Sequence, residues 1–356
     1  MKIMQIMPEF GLAGAEIMCE DLSHKLYEKG IDVIVVSLFD YHSPITDRLE
    51  AKGIKVIYLD KKPGLDLSMI FKLYKLFNKE KPDAIHTHRH VLQYAIPAAV
   101  LSKIKKRVHT MHNIATKENG TIGRKFNKIF FKFCNVIPVA LSDIVKETVV
   151  EEYKLKEEKI PVVFNGIDLS KCIKKIDYTL HEPIKIIHIG RFAKAKNHVN
   201  IVKATEVLKN KNYNFVLSFY GDGSLKEEIE NLVLEKQLND CVKFKGLASD
   251  ISEKLNESDI FILPSIFEGM PMTIIEAMGT GVPMIVTSVG GVPEMVKDYK
   301  ETLYCNTDFE SIAEKIEELI LNIDLRKQLG ENAYKKSQIF SSENMAGKYI
   351  SIYREE

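Results

Sequence analysis

No run in these 356 residues approaches the roughly 18 consecutive apolar residues of a membrane-spanning helix. No excess of one charge is present either, the formal net charge being +1, which argues against a dedicated nucleic-acid binder. The small imbalance is uneven: residues 1 to 170 hold 26 Lys and Arg against 21 Asp and Glu, and the remainder is slightly acidic. The five cysteines, Cys19, Cys134, Cys172, Cys241 and Cys305, are scattered, odd in number and without a CxxC pair. They read as reduced thiols of a cytosolic protein, and suggest neither a metal site nor a nucleophile. Lys2 followed by Ile3 to Met7, then Pro8 and Glu9, is too short for a signal-peptide core. The expectation is a protein of the cytoplasm, extending to the inner face of its membrane.

A hydrophobic content of 45% and a charged content of 28% are those of an ordinary globular chain, long enough for two domains. Short apolar runs alternate with helical patterns. Lys2 to Met7, Ile31 to Leu38, Lys55 to Leu59, Ala84 to Thr87, Arg107 to Met111, Val136 to Leu141 and Pro161 to Phe164 read as strands. Near-continuous apolar strands between helices imply a parallel sheet covered on both faces. Asn165 to Asp168 forms a turn, Leu169 to Glu182 reads as a polar linker, and the alternation restarts at Ile184. The fold class is therefore α/β, with two Rossmann-like doubly wound domains facing across a cleft. The first spans 1–168 and the second 169–340, and a last helix, roughly 341–356, packs back on the first.

The densest pattern runs from Phe261 to Glu294, FILPSIFEGMPMTIIEAMGTGVPMIVTSVGGVPE. An apolar strand meets a turn and a carboxylate, Glu268, followed by Gly269. Pro271 suits the first position of a helix, Glu276 lies inside it, and Gly279 and Gly281 end it. Met284 to Val286 restores a strand, closed by Gly290 and Gly291. Such a unit presents a helix N-terminus at the carboxyl end of a parallel sheet, where free N–H groups favour an anion. About 7 Å of helix rise between Pro271 and Glu276 would let the two carboxylates reach hydroxyls on either side of a diphosphate. That geometry suits a nucleotide sugar.

These residues resemble the retaining glycosyltransferases of the GT-B fold, in particular the large family 4 group. The resemblance rests on Glu268 and Glu276 within FEGMPMTIIEAMGTGVPMIVTSVGGVPE, on GRFAKAKNH (Gly190 to His198), YGDG (Tyr220 to Gly223) and NGID (Asn165 to Asp168), and more loosely on GLAGAE (Gly11 to Glu16). It implies a donor site in which Glu276 accepts from the ribose hydroxyls and Glu268 contacts the transferred sugar near its 3-hydroxyl. Arg191 and Lys196 would hold the diphosphate, with Gly190, Gly269, Met270, Pro271, Met272 and Thr273 lining it. Gly11 and Gly14 resemble glycines that let backbone approach donor phosphates and acceptor. Their spacing is not that of a dinucleotide fingerprint. His112 resembles a histidine close to the reacting sugar, contacting it or stabilising an oxocarbenium ion, not acting as a general base. The implied activity is a metal-independent, retaining hexosyl transfer from a nucleoside diphosphate sugar, UDP-sugar by resemblance. The acceptor would be a glycan or lipid-linked molecule in polysaccharide or glycolipid synthesis. No cofactor and no nucleic-acid partner are implied.

Other readings compete. A GT-B UDP-N-acetylglucosamine 2-epimerase shares the fold but needs an acid/base set that cannot be assembled here. A two-lobed sugar-binding protein would explain the architecture without chemistry. His86, His88 and His90 (HTHRH) would share a strand face, but no carboxylate or cysteine completes a zinc site, so the expectation is a strand end with His88 near an acceptor. In Gly123 to Cys134, Phe126, Ile129, Phe130 and Phe133 share one helical face, and Arg124, Lys125, Lys128 and Lys132 form the rest. A helix packed on the first domain's sheet is the preferred reading. A peripheral membrane contact is the alternative.

Overall fold

Strands apolar on both faces are satisfied only within a sheet covered on both sides, and both halves of this chain build such a sheet. A computed structural model describes residues 1 to 11, 14 to 248 and 250 to 355. Leu12 and Ala13 of the GLAGAE stretch and Glu356 of the expected last helix lie outside the described residues.

The first unit comprises residues 1 to 167 with 341 to 355. Its strands are β1 (Lys2–Met7), β2 (Asp32–Ser37), β3 (Lys55–Tyr58), β4 (Ala84–His88), β5 (Lys106–Met111) and β6 (Val136–Ala140). They pair in the order β3-β2-β1-β4-β5-β6, all parallel. The second unit, residues 168 to 340, holds β7 (Ile184–Ile189), β8 (Phe215–Tyr220), β9 (Val242–Phe244), β10 (Ile260–Leu263), β11 (Met284–Thr287) and β12 (Leu303–Cys305). Their order, β12-β11-β10-β7-β8-β9, is again all parallel, and from the opposite edge it repeats the first. This doubly wound order reverses direction between β1 and β4 and between β7 and β10. At each reversal successive connections leave on opposite faces, which opens a crevice at the carboxyl ends of those strands.

Several local features differ from the sequence reading, each for a physical reason. Pro161 to Phe164 is not a strand: a single bridge joins Ala140 to Val162. Pro161 accepts from the Ala140 N–H but has none to return. The polar stretch from Leu169 to Glu182 is not a free linker, because the second unit binds it. Lys175 is buried, its ammonium donating to the Ser258 carbonyl at 2.9 Å. Pro271 is the N-cap and not the first helical residue, and Gly279 lies inside the helix Met272–Thr280. A Cβ on Gly279 would stand 2.6 Å from Cys172 Sγ. Close packing of the connecting stretch, not helix termination, requires that glycine. Gly281, at φ +72°, makes the stop.

The chain returns to the first unit in the helix Ser342–Arg354, whose N-cap Ser341 accepts from the Asn344 N–H. The Ser342 N–H donates to the Ile167 carbonyl at 2.7 Å. A Cβ on Gly166 would fall 2.4 Å from the Ser341 carbonyl oxygen, which accounts for the glycine of NGID. Tyr349 and Tyr353 of this helix reach into the first sheet and meet Thr110 Oγ1 at 2.6 Å and His86 Nδ1 at 2.7 Å.

Both cores bury histidines: His86, His88 and His109 in the first unit, His188 and His198 in the second. Burial disfavours the imidazolium and lowers every one of these pKa values, to about 3 for His109 and about 4 for His198. In the unfolded chain the rings titrate near pH 6.5, so below that pH the unfolded state binds more protons than the folded one. Stability is therefore fully present above about pH 6.5 and declines on acidification, by up to about 1.4 kcal/mol per pH unit for each ring. Urea denaturation at a series of pH values should show this loss. A midpoint unchanged between about pH 7 and pH 5 would contradict burial of neutral rings.

Candidate functional site

The crevice between β7 and β10 is built by the two loops that leave those strands. After β7 the chain passes Gly190 and Arg191 and makes a short 3₁₀ turn, Lys194–Lys196. Two glycines of YGDG hold this loop. Gly221 and Gly223 have φ of +139° and +156°, and Cβ atoms there would fall 2.1 Å from the Gly190 carbonyl oxygen and 2.5 Å from that of Phe192. Only glycine permits both the backbone angles and the approach.

Asn197 then takes φ +61° and donates from its amide to the Pro264 and Thr307 carbonyls, at 3.0 and 2.7 Å. The Ile266 N–H donates to the Ala195 carbonyl at 2.8 Å. These bonds tie the β7 loop to the β10 loop. From the other side the loop after β11 closes on the same segment. Gly290, at φ +53°, lies so near Glu268 that a Cβ would stand 1.7 Å from its carbonyl oxygen, and the Gly291 N–H donates to the Gly269 carbonyl at 2.9 Å. Backbone contacts on two sides thus fix where Glu268 points.

The Glu268 side chain is buried and meets Lys196: Nζ lies 2.6 Å from Oε1. The Ser265 hydroxyl donates to the same oxygen at 2.5 Å. Among the described residues no hydrogen bond engages Oε2 of Glu268, so that oxygen retains its acceptor capacity. Gly190 makes room for the lysine stem, since a Cβ there would come 3.3 Å from Lys196 Cδ.

The helix Met272–Thr280 begins nearby in the sequence without a side-chain cap, after a proline that has no N–H. Its first amides present a positive dipole end. The Thr273 hydroxyl is buried, and among the described residues it has no hydrogen-bond partner. Met270 and Met272 are buried, and Glu276 is half-buried in the second turn. Arg191 is exposed, and among the described residues no carboxylate pairs with it. One buried pair, one open cation and one uncapped helix end make a place suited to a diphosphate next to hydroxyl groups.

Of the residues singled out in this unit, the structure brings Lys196 and Glu268 into contact and places Gly190, Gly269, Met270, Pro271, Met272 and Thr273 on the two loops and helix start around them. Ser265 was not foreseen, although its position three residues before Glu268, in the turn after an apolar strand, is a usable signal. Asn197 was also missed.

In the first unit the corresponding crevice lies between β1 and β4. Gly11 follows β1, and among the described residues other than its chain neighbours none comes within 4 Å of where its Cβ would stand. Gly14 is exposed and begins the helix Gly14–Glu28, whose buried Glu16 forms an ion pair with Arg89, just past β4. His90 departs from expectation. The strand ends at His88, Arg89 takes φ +57°, and His90 turns off the face it was expected to share. It lines a separate cavity of about 240 Å³ with Lys61, Phe39 and Tyr94.

His86 and His88 do share a face, with ring centroids 4.2 Å apart, and both are hydrogen-bonded to protein groups. Among the described residues no three His, Cys, Asp or Glu side chains form a metal-binding group.

His112 stands at the end of β5. Its Nε2 lies 3.1 Å from His88 Nδ1, and His88 Nε2 lies 2.9 Å from Gln5 Oε1. Burial holds both rings neutral, His112 near a pKa of about 3. Since Gln5 Oε1 only accepts, His88 carries its proton on Nε2 and accepts at Nδ1 from His112 Nε2–H. The lone pair of His112 then lies on Nδ1, an acceptor and a poor base. Glu118, also unforeseen, faces the His112 and Asn113 backbone N–H groups, and burial lifts its carboxyl to about 7.

Lys196→Met would leave the Glu268 carboxylate buried with one hydroxyl donor, at an expected cost of about 2–4 kcal/mol. Adding Glu268→Gln removes the stranded charge and should recover part of it. A double-mutant cycle by denaturant unfolding should give a coupling of at least about 1 kcal/mol, and additive losses would contradict the pair as described.

Comparison with known proteins agrees with this geometry. The sequence model for glycosyl transferases group 1 matches residues 173–336, and that for glycosyltransferase family 4 matches residues 12–171. A UDP-Gal:alpha-D-GlcNAc-diphosphoundecaprenol alpha-1,3-galactosyltransferase of Escherichia coli is 31% identical over 256 residues, 65% of either chain, so this match spans just under two thirds of that relative. An N-acetyl-alpha-D-glucosaminyl L-malate synthase of Bacillus anthracis is 29% identical over 310 residues, covering 82% of this chain and 79% of the relative. The solved structure of Anabaena Alr3699/HepE in complex with UDP and glucose superposes with a TM-score of 0.86 at 18% identity, over 99% of this chain and 98% of that one, a likeness of fold. With each half matched by one of the two family models and the fold shared end to end, the chain belongs to the family 4, group 1 glycosyltransferases of GT-B architecture.

Proposed function

We propose that this glycosyltransferase moves a sugar from a UDP-sugar to a glycan or lipid-linked acceptor with retention of anomeric configuration and without a bound metal ion. The observation that carries the reading is the Lys196–Glu268 pair beside an uncapped helix N-terminus. Lys196 is positioned by Glu268 and can turn its remaining N–H groups to a diphosphate, and Arg191 offers a planar fork of donors. As the bond to the sugar breaks, the leaving diphosphate gains negative charge. Two cations and the first helix amides stabilise it more in the transition state than in the ground state. They supply the positive charge that a divalent ion would otherwise bring.

Glu268, with Oε2 available, accepts from a hydroxyl of the transferred sugar, and Glu276 accepts from the ribose diol. In the first unit His112 is suited to accept from a sugar hydroxyl through Nδ1. Its low pKa makes it a poor general base, so the departing phosphate takes the acceptor's proton while attack occurs on the same face. Three further points support retention and the donor. Both curated relatives carry alpha-linked products in their names, the common nucleoside diphosphate hexoses are themselves alpha-linked, and UDP-Gal is the named donor of one.

Incubation with a panel of nucleotide sugars and acceptors in the presence of a chelator tests this. Nucleoside diphosphate should appear only with acceptor, and proton NMR should show an alpha product. An inverted product, or activity abolished by the chelator, would refute the mechanism. Lys196→Ala and Arg191→Ala should each lower kcat/KM by about a hundredfold or more, with most of the loss in kcat.

A further inference from the structure

The helix Thr121–Phe133 carries two apolar faces where one was expected. Asn127, Phe130 and Phe131 are buried toward the first unit. Ile122, Phe126, Ile129 and Phe133 stand in solvent, 73%, 46%, 48% and 79% exposed. Packing on the sheet therefore uses a different face from the one that the shared spacing of Phe126, Ile129 and Phe133 implied. At about 100° per residue the four exposed side chains fall within about 60° of one another and run for roughly 16 Å along the helix.

Beside this stripe lie Lys125, Lys128 and Lys132, and the helix contains no acid. Arg124 is paired with Glu152, but among the described residues no carboxylate pairs with the three lysines. An apolar ridge flanked by unpaired cations matches a surface with an apolar interior and an anionic skin. A second copy of this chain would set these lysines against their own kind about a two-fold axis.

We propose that this helix is a membrane-docking element, lying in the headgroup layer of an anionic bilayer with Ile122, Phe126, Ile129 and Phe133 inserted and the lysines at the lipid phosphates. The proposal stands independently of the transfer reaction. The helix shortly follows His112 in the chain, so docking would hold the carboxyl end of the first sheet close to a bilayer.

Cosedimentation of the full chain with vesicles, without nucleotide sugar, tests it. The protein should bind phosphatidylcholine vesicles containing phosphatidylglycerol and should largely remain in solution with phosphatidylcholine alone. Phe126→Ser with Phe133→Ser should lower the melting temperature only slightly, through loss of the Phe126–Phe130 ring contact, and weaken binding by about tenfold or more. Lys125→Gln with Lys128→Gln and Lys132→Gln should abolish the preference for anionic lipid. Three results would overturn the proposal: no binding to anionic vesicles, equal binding by the phenylalanine variant, or a dimer in sedimentation equilibrium that this variant dissociates. Loss of transferase activity with vesicle binding intact would instead count against the proposed function alone.

Discussion

The contact between Lys196 and Glu268 organises the second unit. A buried carboxylate is tolerable only with a cation and hydrogen-bond donors close by, and the surrounding architecture supplies them from separate strands. The β7 loop brings the lysine, the turn after β10 brings Ser265, and the β11 loop presses Gly290 against the Glu268 backbone. Gly221, Gly223 and Asn197 fix the lysine-bearing loop. Among the described residues the same elements leave Oε2 of Glu268 without a hydrogen bond and Arg191 without a carboxylate, and the helix start has no side-chain cap. What remains when the pair has been satisfied is the polar surface at which the donor is proposed to bind.

The two units share a strand order and differ in how they treat polarity. In the second, the crevice concentrates charge. In the first, apart from the Glu16–Arg89 ion pair, buried neutral groups are joined in chains, Gln5 to His88 to His112, and Tyr353 to His86 to Thr110 to Tyr349. A neutral network cannot stabilise a leaving diphosphate, but it fixes tautomers, and so which nitrogen of His112 accepts. The division matches the chemistry proposed: charge where a phosphate departs, oriented neutral groups where hydroxyls are recognised. The last helix belongs to the first unit because its two tyrosines complete that network.

Much of this was legible in the sequence where local chemistry decides it. Apolar strands between helices gave the parallel sheets, and the glycines and prolines of Phe261 to Glu294 gave strand, acidic loop, helix and strand in order. What escaped depends on long-range pairing or on one dihedral angle. The Lys196–Glu268 contact joins residues 72 positions apart, and no local pattern reports it. His90 left its face because Arg89 adopts a positive φ. Gly279 looked like a helix stop, but its role is to admit Cys172 from a stretch that read as linker. In the helix Thr121–Phe133 the periodicity indicated an apolar face, and only packing decided which of two faces was covered.

That the second unit's crevice is a nucleoside diphosphate site is tested most directly by calorimetric titration with UDP. Wild-type protein should bind UDP in buffer free of divalent ions, and Glu276→Ala should lose about tenfold or more in affinity, as expected for removal of a charged hydrogen-bond acceptor. Equal affinity in the two proteins, or no binding by the wild type, would contradict it.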